Sequence, residues 1–193
     1  MSRLEQLKKH LSPGNVYRRA DLGQWSKSVD RHAQALVKVG VLKKLRNGMY
    51  YYPKQSFFGS VPAEERALVS TFLKEDDFLL TSPNAYNVLG TGTTQLYNVR
   101  FVYNHKRHGR FTLGGQTFEF RRKPRFPKKL TEEFLLVDLV NNLSELAEDR
   151  EALRARAQSK AKEMDSQRLQ NAAKKYGKVS TQRFFKQALA DVS

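Results

Sequence analysis

Cysteine is absent from the 193 residues of the sequence. Without a thiol the chain forms no disulfide, and it has no thiolate for a zinc site, an iron–sulfur cluster or nucleophilic catalysis. Long hydrophobic runs are absent as well, since the longest aliphatic stretch, Phe134–Val137, falls far short of the roughly 18 residues that span a bilayer. The first residues carry charges where a secretory signal needs apolar side chains. We therefore expect a cytoplasmic chain with no membrane partner.

Acidic residues are few compared with basic ones. The chain has 19 Asp and Glu against 35 Lys and Arg, a formal charge of +16 and an isoelectric point near 10.1. A field of this sign attracts polyanions, so nucleic acid is the leading class of partner. The excess is concentrated in residues 1–60, which hold 12 Lys and Arg and 3 Asp and Glu. The length corresponds to one domain or two small ones, which excludes a large multidomain enzyme.

The pattern of apolar and turn residues predicts an α+β fold in three segments. Residues 1–58 are expected to form a winged helix-turn-helix DNA-binding domain, 59–143 a small α+β domain, and 144–193 a C-terminal helical segment. The first boundary rests on Phe57-Phe58-Gly59-Ser60, which breaks the preceding pattern, and on Pro62, which suits the first turn of a helix. Alternating stretches between Tyr97 and Arg121 predict an antiparallel sheet in the middle segment.

Three helices are predicted in the first segment. The first has leucines at helical spacing: Leu4, Leu7 and Leu11. The second is short and is expected to end at Gly23, and Ser26 is the expected N-cap of the third. The apolar residues of the third helix form one stripe: Val29, Ala33, Leu36 and Val37. This order, followed by a hairpin, is the order of a winged helix-turn-helix.

The residues expected to contact DNA lie on the third helix and on the hairpin after it. They are Lys27, Ser28, Arg31 and Gln34 on the helix, and Lys43, Lys44 and Arg46 on the hairpin. Arg and Gln make bidentate contacts with base edges in the major groove, whereas Ser and Lys near a helix start suit phosphates. Asn47-Gly48 is the favoured pair for a type I′ hairpin turn, which would present the neighbouring cations at its tip.

Asp30 is the exception on this face of the third helix, because a carboxylate repels phosphate. It accepts a hydrogen bond from a cytosine amino group, or it pairs with Lys27 or Arg31. The sequence leaves this choice open.

Other motifs predict no catalytic residue, cofactor or metal site. His105 and His108 lie in a basic turn, where flanking cations oppose a metal. The loop Gly90–Thr94 lacks the ending of a phosphate-binding loop, and the acidic pairs Glu64-Glu65 and Glu132-Glu133 compensate helix dipoles. The basic run Arg121–Lys129 is either a solvated linker or a second contact with nucleic acid or an acidic partner.

Four stretches resemble the AbiE-type abortive-infection antitoxins, the regulator half of a type IV toxin–antitoxin system: Leu42–Tyr50, Leu80–Gly90 leading to Thr94-Gln95, Thr131–Leu139 and Ala173–Gly177. The resemblance covers nearly the whole chain. It implies a repressor that binds inverted repeats in its own promoter and counteracts a nucleotidyltransferase toxin. It also implies that Lys27, Ser28, Arg31, Gln34 and Arg46 are DNA contacts. Because an inverted repeat is normally read by two protomers, we expect a dimer on DNA. The chain is shorter at its C-terminal end than that family.

Three further hypotheses stay open. The cationic face grips a structured RNA, or the chain is a stand-alone winged-helix regulator without antitoxin activity. In the third, Asp76-Asp77 and Glu119 hold Mg²⁺ for nuclease chemistry. A preference for inverted-repeat duplex DNA separates a repressor from an RNA-binding module.

Overall fold

The described part of the chain, residues 3–91, 93 and 95–190 of a computed structural model, is a mixture of α-helices and β-strands that ends in a helical stretch. The expected α+β class is thereby confirmed. Gly92 and Thr94, which belong to the loop Gly90–Thr94, lie outside the described residues.

The helices and strands alternate through the first two thirds of the chain. The α-helices are α1 (Arg3–Lys9), α2 (Arg19–Gly23), α3 (Val29–Lys38), α4 (Glu65–Leu73), α5 (Glu132–Asn141), α6 (Arg150–Glu163), α7 (Ser166–Tyr176) and α8 (Val179–Ala190). The strands are β1 (Val16–Arg18), β2 (Lys43–Arg46), β3 (Met49–Tyr51), β4 (Gln55–Ser56), β5 (Gly59–Ser60), β6 (Leu79–Thr81), β7 (Val99–Asn104), β8 (Gly109–Leu113) and β9 (Gln116–Arg122). Short 3₁₀-helices span Pro83–Leu89 and Leu143–Glu145.

The described strands form three sheets. The first has the order β1-β3-β2, and β3 pairs antiparallel with both neighbours. The second is the β4–β5 hairpin, and the third has the order β6-β7-β9-β8. Two of these features were not predicted, namely strand β1 and the β4–β5 hairpin. A three-residue strand and a two-residue strand are too short to show the alternation of apolar and polar residues that predicts longer strands.

The chain divides into two compact units. The first consists of residues 1–77 and 109–118, and the second of residues 78–108 and 119–193. The boundaries of these units differ from those of the expected segments 1–58, 59–143 and 144–193. The division into those three domains stays a prediction.

The core of the first unit is built around the apolar stripe of α3. Val29, Ala33 and Leu36 are buried, as expected for residues that recur every three or four positions along a helix. They pack in one cluster with residues of α1, β1, α2 and β3 and of the segments after α1 and before β2: Leu7, Leu11, Tyr17, Leu22, Leu42 and Tyr50. Each fully buried leucine in such a cluster contributes about 1.5–3 kcal/mol. The opposite, polar face of α3 is left outward.

The core of the second unit contains a buried carboxylate, that of Asp138 on α5. The hydroxyl of Tyr86 donates to Asp138 Oδ2 at 2.7 Å, and the hydroxyl of Tyr103 donates to Oδ1 at 2.7 Å. The Asn142 amide donates to both tyrosine oxygens, at 3.0 and 3.2 Å. Burial raises the pKa of Asp138 although the tyrosine donors lower it, and burial raises the pKa of both tyrosines well above the ordinary range.

Tyr103→Phe tests the energetic importance of this network. The change removes a hydroxyl that donates to a buried acceptor and leaves Asn142 with one acceptor fewer. We expect the free energy of unfolding to fall by about 1–3 kcal/mol, measured by urea unfolding. An unchanged unfolding midpoint and slope would show that the network contributes nothing to stability.

Candidate nucleic-acid interface

Helix α3 begins at Val29, two residues later than an N-cap at Ser26 predicts. Ser26 was expected to cap this helix, and that expectation is wrong, because Ser26 is buried with its Oγ 2.7 Å from Nδ1 of His32. Ser28 stands at the N-cap position, and its side chain makes no capping hydrogen bond. Lys27 and Ser28 therefore precede the helix instead of forming its first turn.

The solvent-facing side of α3 carries the predicted contact residues. Lys27, Arg31 and Gln34 are exposed, and Ser28 is half-buried. Arg31 and Gln34 lie three positions apart on the helix, so they project from one face. Lys38 is also exposed and extends this face by another turn. It was not selected from the sequence, although its spacing of four from Gln34 is the signal that identifies it.

The carboxylate of Asp30 on this side of α3 pairs with Arg19 of α2. Arg19 Nε donates to Asp30 Oδ1 and Arg19 Nη2 to Oδ2, both at 2.6 Å. This bidentate hydrogen bond, with the charge of Arg19, lowers the pKa of Asp30 below its ordinary value. Neither Lys27 nor Arg31, the partners considered from sequence, is involved. Arg19 also donates its backbone N–H to Gly48 O at 2.9 Å. The role of Arg19 could not be predicted from sequence, because both of its partners are distant along the chain.

The pKa of Asp30 gives a direct test of this pair. In Arg19→Gln, the carboxyl loses its bidentate donor and its neighbouring charge, so its pKa returns towards the ordinary value of 3.8. The measurement is a carboxyl ¹³C chemical-shift titration. Arg31→Ala serves as the control and should leave the titration unchanged, and a response to Arg31→Ala instead of Arg19→Gln would contradict the pairing.

The β2–β3 hairpin has the predicted position but a different turn. Gly48 has φ +75°, and Lys74 alone among the described non-glycine residues has a positive φ, so Asn47 does not. A type I′ turn requires positive φ at both central residues, and the expectation of that turn is therefore wrong. The pairing register shifts between Lys44 and Arg46, an irregularity of the kind a β-bulge produces.

The exposure of the β2 side chains is irregular as well. A regular strand alternates its side chains between two faces, yet in β2 Lys43 and Lys44 are both exposed and Leu45 and Arg46 are both half-buried. Lys43 Nζ donates to Ser60 Oγ at 2.8 Å. Lys43 and Lys44 thus present their charges at the surface, as expected from sequence.

Arg46 makes an aromatic contact. Its guanidinium carbon lies 4.7 Å from the centroid of Phe72 and 5.7 Å from that of Phe111, while the two rings are 5.0 Å apart. The side chain was expected at the hairpin tip, in reach of phosphate. In the structure it packs against rings of α4 and β8 in the first unit.

Arg46→Ala should therefore affect stability. Losing the cation–π contact at a half-exposed site is expected to lower the free energy of unfolding of the first unit by about 0.5–1 kcal/mol. Lys44→Ala, at an exposed position of the same strand, should change it little. Guanidinium chloride unfolding of the two variants makes the comparison, and equal effects would argue against the packing role of Arg46.

The basic run Arg121–Lys129 is partly built into the second unit. Arg121 is buried, donates to Glu119, Glu145 and Asn142, and lies 3.8 Å from the centroid of Phe101. Burial lowers the pKa of Lys123, whose ammonium lies 5.3 Å from the ring centroid of Tyr103. Both side chains are thus packed within the unit. Four others in the run are exposed: Arg122, Arg125, Lys128 and Lys129.

His105, one of the two histidines in the basic turn, contacts an aromatic ring. His105 stacks on Phe126 with ring centroids 4.7 Å apart, and its Nδ1 lies 3.0 Å from Lys123 O. Within residues 3–91, 93 and 95–190, no group of three or more His, Asp or Glu side chains is arranged to hold a metal ion.

In the same part of the chain, no helix has the length and hydrophobicity to cross a membrane.

No protein-family model and no curated protein matches this chain. The crystal structure of the RV2827C protein from Mycobacterium tuberculosis is similar to it, with a TM-score of 0.60 and 15% sequence identity over 97% of this chain and 74% of that chain. At this identity the likeness concerns the fold alone.

Proposed function

We propose that the chain is a DNA-binding transcriptional repressor whose N-terminal residues form a winged helix-turn-helix. The element order supports this proposal: α1, β1, α2 and α3 are followed by the β2–β3 hairpin, and the sheet order is β1-β3-β2. In a winged helix-turn-helix the third helix enters the major groove and the hairpin lies beside it. Here α3 is the recognition helix and β2–β3 is the wing.

The observation that carries the proposal is the polar, cationic outward face of α3. Its exposed residues Arg31 and Gln34 are of the types that read guanine and adenine in the major groove. No acidic residue occurs between Asp30 and Glu64, and the charge of Asp30 is balanced by Arg19. A strongly negative duplex therefore meets little repulsion along this stretch.

The proposed contacts have different tasks. Arg31 and Gln34 read base edges. Ser28 and Lys27, which lie just before the helix, contact phosphate there, and Lys43 and Lys44 of the wing contact phosphates beside the wing. Lys38 extends the phosphate contact along α3. Arg46 acts on the wing through its packing against Phe72 and Phe111.

The second part of the proposal is antitoxin activity, which rests on the resemblance to the AbiE-type antitoxins. In this proposal the repressor binds inverted repeats in its own promoter as a dimer and counteracts a nucleotidyltransferase toxin. A neighbouring nucleotidyltransferase gene whose toxicity is relieved by co-expression of this chain would support it. Undiminished toxicity would restrict the function to transcriptional regulation.

DNA binding is tested by comparing the DNA upstream of the chain's own gene with random duplex and with structured RNA of equal length. A repressor binds the upstream duplex more tightly, because its affinity contains base contacts as well as the phosphate term. Equal affinity for upstream and random duplex, or tighter binding to RNA, would contradict repression.

Incubation with Mg²⁺ and nucleic acid tests the nuclease alternative. Nucleic acid that stays intact would exclude that alternative.

Two variants separate base reading from phosphate binding. Arg31→Ala is expected to cost about 1–3 kcal/mol on the upstream duplex and to relax base preference, whereas Lys44→Ala weakens binding to all duplexes alike and lowers the salt slope by about one. Fluorescence anisotropy over a range of salt concentrations measures both. Identical behaviour of the two variants would contradict this division of tasks.

A further inference from the structure

The β4–β5 hairpin carries two phenylalanines at its tip that are almost wholly exposed. Phe57 is 98% and Phe58 97% exposed, while the flanking residues Ser56 and Gly59 pair across the hairpin. The rings contact each other edge to face, with centroids 5.4 Å apart and planes at 86°. Two adjacent aromatic side chains left in water at a loop tip stabilise no core, and such surfaces mark sites of interaction.

Local hydrogen bonds hold the tip in a defined conformation. Ser56 Oγ donates to Gly59 O at 2.8 Å, and Val61 N donates to Lys54 O at 2.8 Å, which closes the base of the hairpin. Gly59 has φ +106°, a conformation that a residue with a side chain adopts only with strain. The aromatic pair is therefore presented by a constrained turn.

The hairpin is also attached to the proposed wing. Lys43 of β2 donates to Ser60 of β5, and the hydroxyl of Tyr51 on β3 donates to Val61 O at 2.8 Å. All of these residues belong to the first unit. Ser60, which accepts the hydrogen bond from Lys43, is two residues along the chain from Phe58, so the aromatic tip lies near this lysine.

The charge around the hairpin indicates what this partner is. Residues 31–63 contain no acidic residue and six basic ones: Arg31, Lys38, Lys43, Lys44, Arg46 and Lys54. A second copy of the chain that presented this same basic face would be repelled. A polyanion that also offers apolar surface is complementary to a tip with two phenylalanines beside lysines. Duplex DNA combines negative phosphates with stacked apolar bases.

We propose that Phe57 and Phe58 form an apolar wedge that enters a base step of duplex DNA, from the minor groove, while Lys43 and Lys54 hold the adjacent phosphates. Proteins that insert phenylalanine in this way unstack the step and kink the duplex, and the bend brings more protein surface to the DNA. This inference rests on the proposed function and adds to it that the repressor distorts its operator. It predicts a preference for flexible pyrimidine–purine steps at the insertion position.

The test uses the full chain and short duplexes that tile the DNA upstream of its own gene, each with 2-aminopurine in place of one adenine and with a donor and acceptor dye at the ends. Wild-type protein is expected to raise 2-aminopurine fluorescence at one step and to shorten the end-to-end distance. The double variant Phe57→Ala with Phe58→Ala should lose both signals and bind about tenfold more weakly, the range expected for a lost base–aromatic stack. Its salt slope should be unchanged, because no cation is removed.

Two controls accompany the double variant. Phe57→Leu with Phe58→Leu keeps an apolar wedge and should retain the bend, whereas Val88→Ala removes another exposed apolar side chain, 62% exposed, and should alter nothing. Circular dichroism confirms that each variant is folded.

Three results would overturn the inference. If wild-type protein binds the duplex with the expected salt slope but without bend or fluorescence change, the wedge is wrong and the proposed function stands. If the double alanine variant loses affinity for vesicles of anionic phospholipid and retains the DNA bend, the tip serves a membrane surface. If wild-type protein binds no duplex, the proposed function fails and the wedge with it.

Discussion

The orientation of α3 is the constraint on which the proposed interface depends. Burial of Val29, Ala33 and Leu36 in the first unit is favourable by several kcal/mol in total, and a helix that buries one face must turn the other to solvent. Arg31, Gln34 and Lys38 face outward for this reason. A rotation of the helix about its axis would bury these polar groups and expose the apolar stripe, so the core and the candidate binding face are one arrangement.

Polar contacts then connect α3 to its surroundings. Arg19 pairs with Asp30 on α3 through its side chain and bonds Gly48 of the β2–β3 turn through its backbone, so one residue of α2 links the helix and the hairpin. Ser26 and His32 join the loop before α3 to the helix itself. Exposed ion pairs add little stability, but here the pair holds a carboxylate against an arginine on a helix whose other exposed charged residues, Arg31 and Lys38, are positive.

The second unit uses some of its basic residues differently. Arg121 and Lys123 lie among aromatic rings and near the buried carboxylate of Asp138, where their charges offset a group that burial would otherwise strongly destabilise. The densest basic run in the sequence is therefore divided between structural and exposed cations. A dense run of basic residues in the sequence does not show which of its cations are exposed, because tertiary packing decides whether a long side chain is buried.

The sequence by itself determined the α+β class, the positions of α3 and the β2–β3 hairpin, and the outward side of α3, since each follows from local periodicity and turn chemistry. Tertiary structure decided the rest. The pairing of Asp30 with Arg19, the packing of Arg46 on Phe72 and the inward turn of Arg121 all join residues distant along the chain. The short β4–β5 hairpin, with Phe57 at its tip, is defined only by the pairing of its two-residue strands, because strands of two residues show no alternation of apolar and polar side chains.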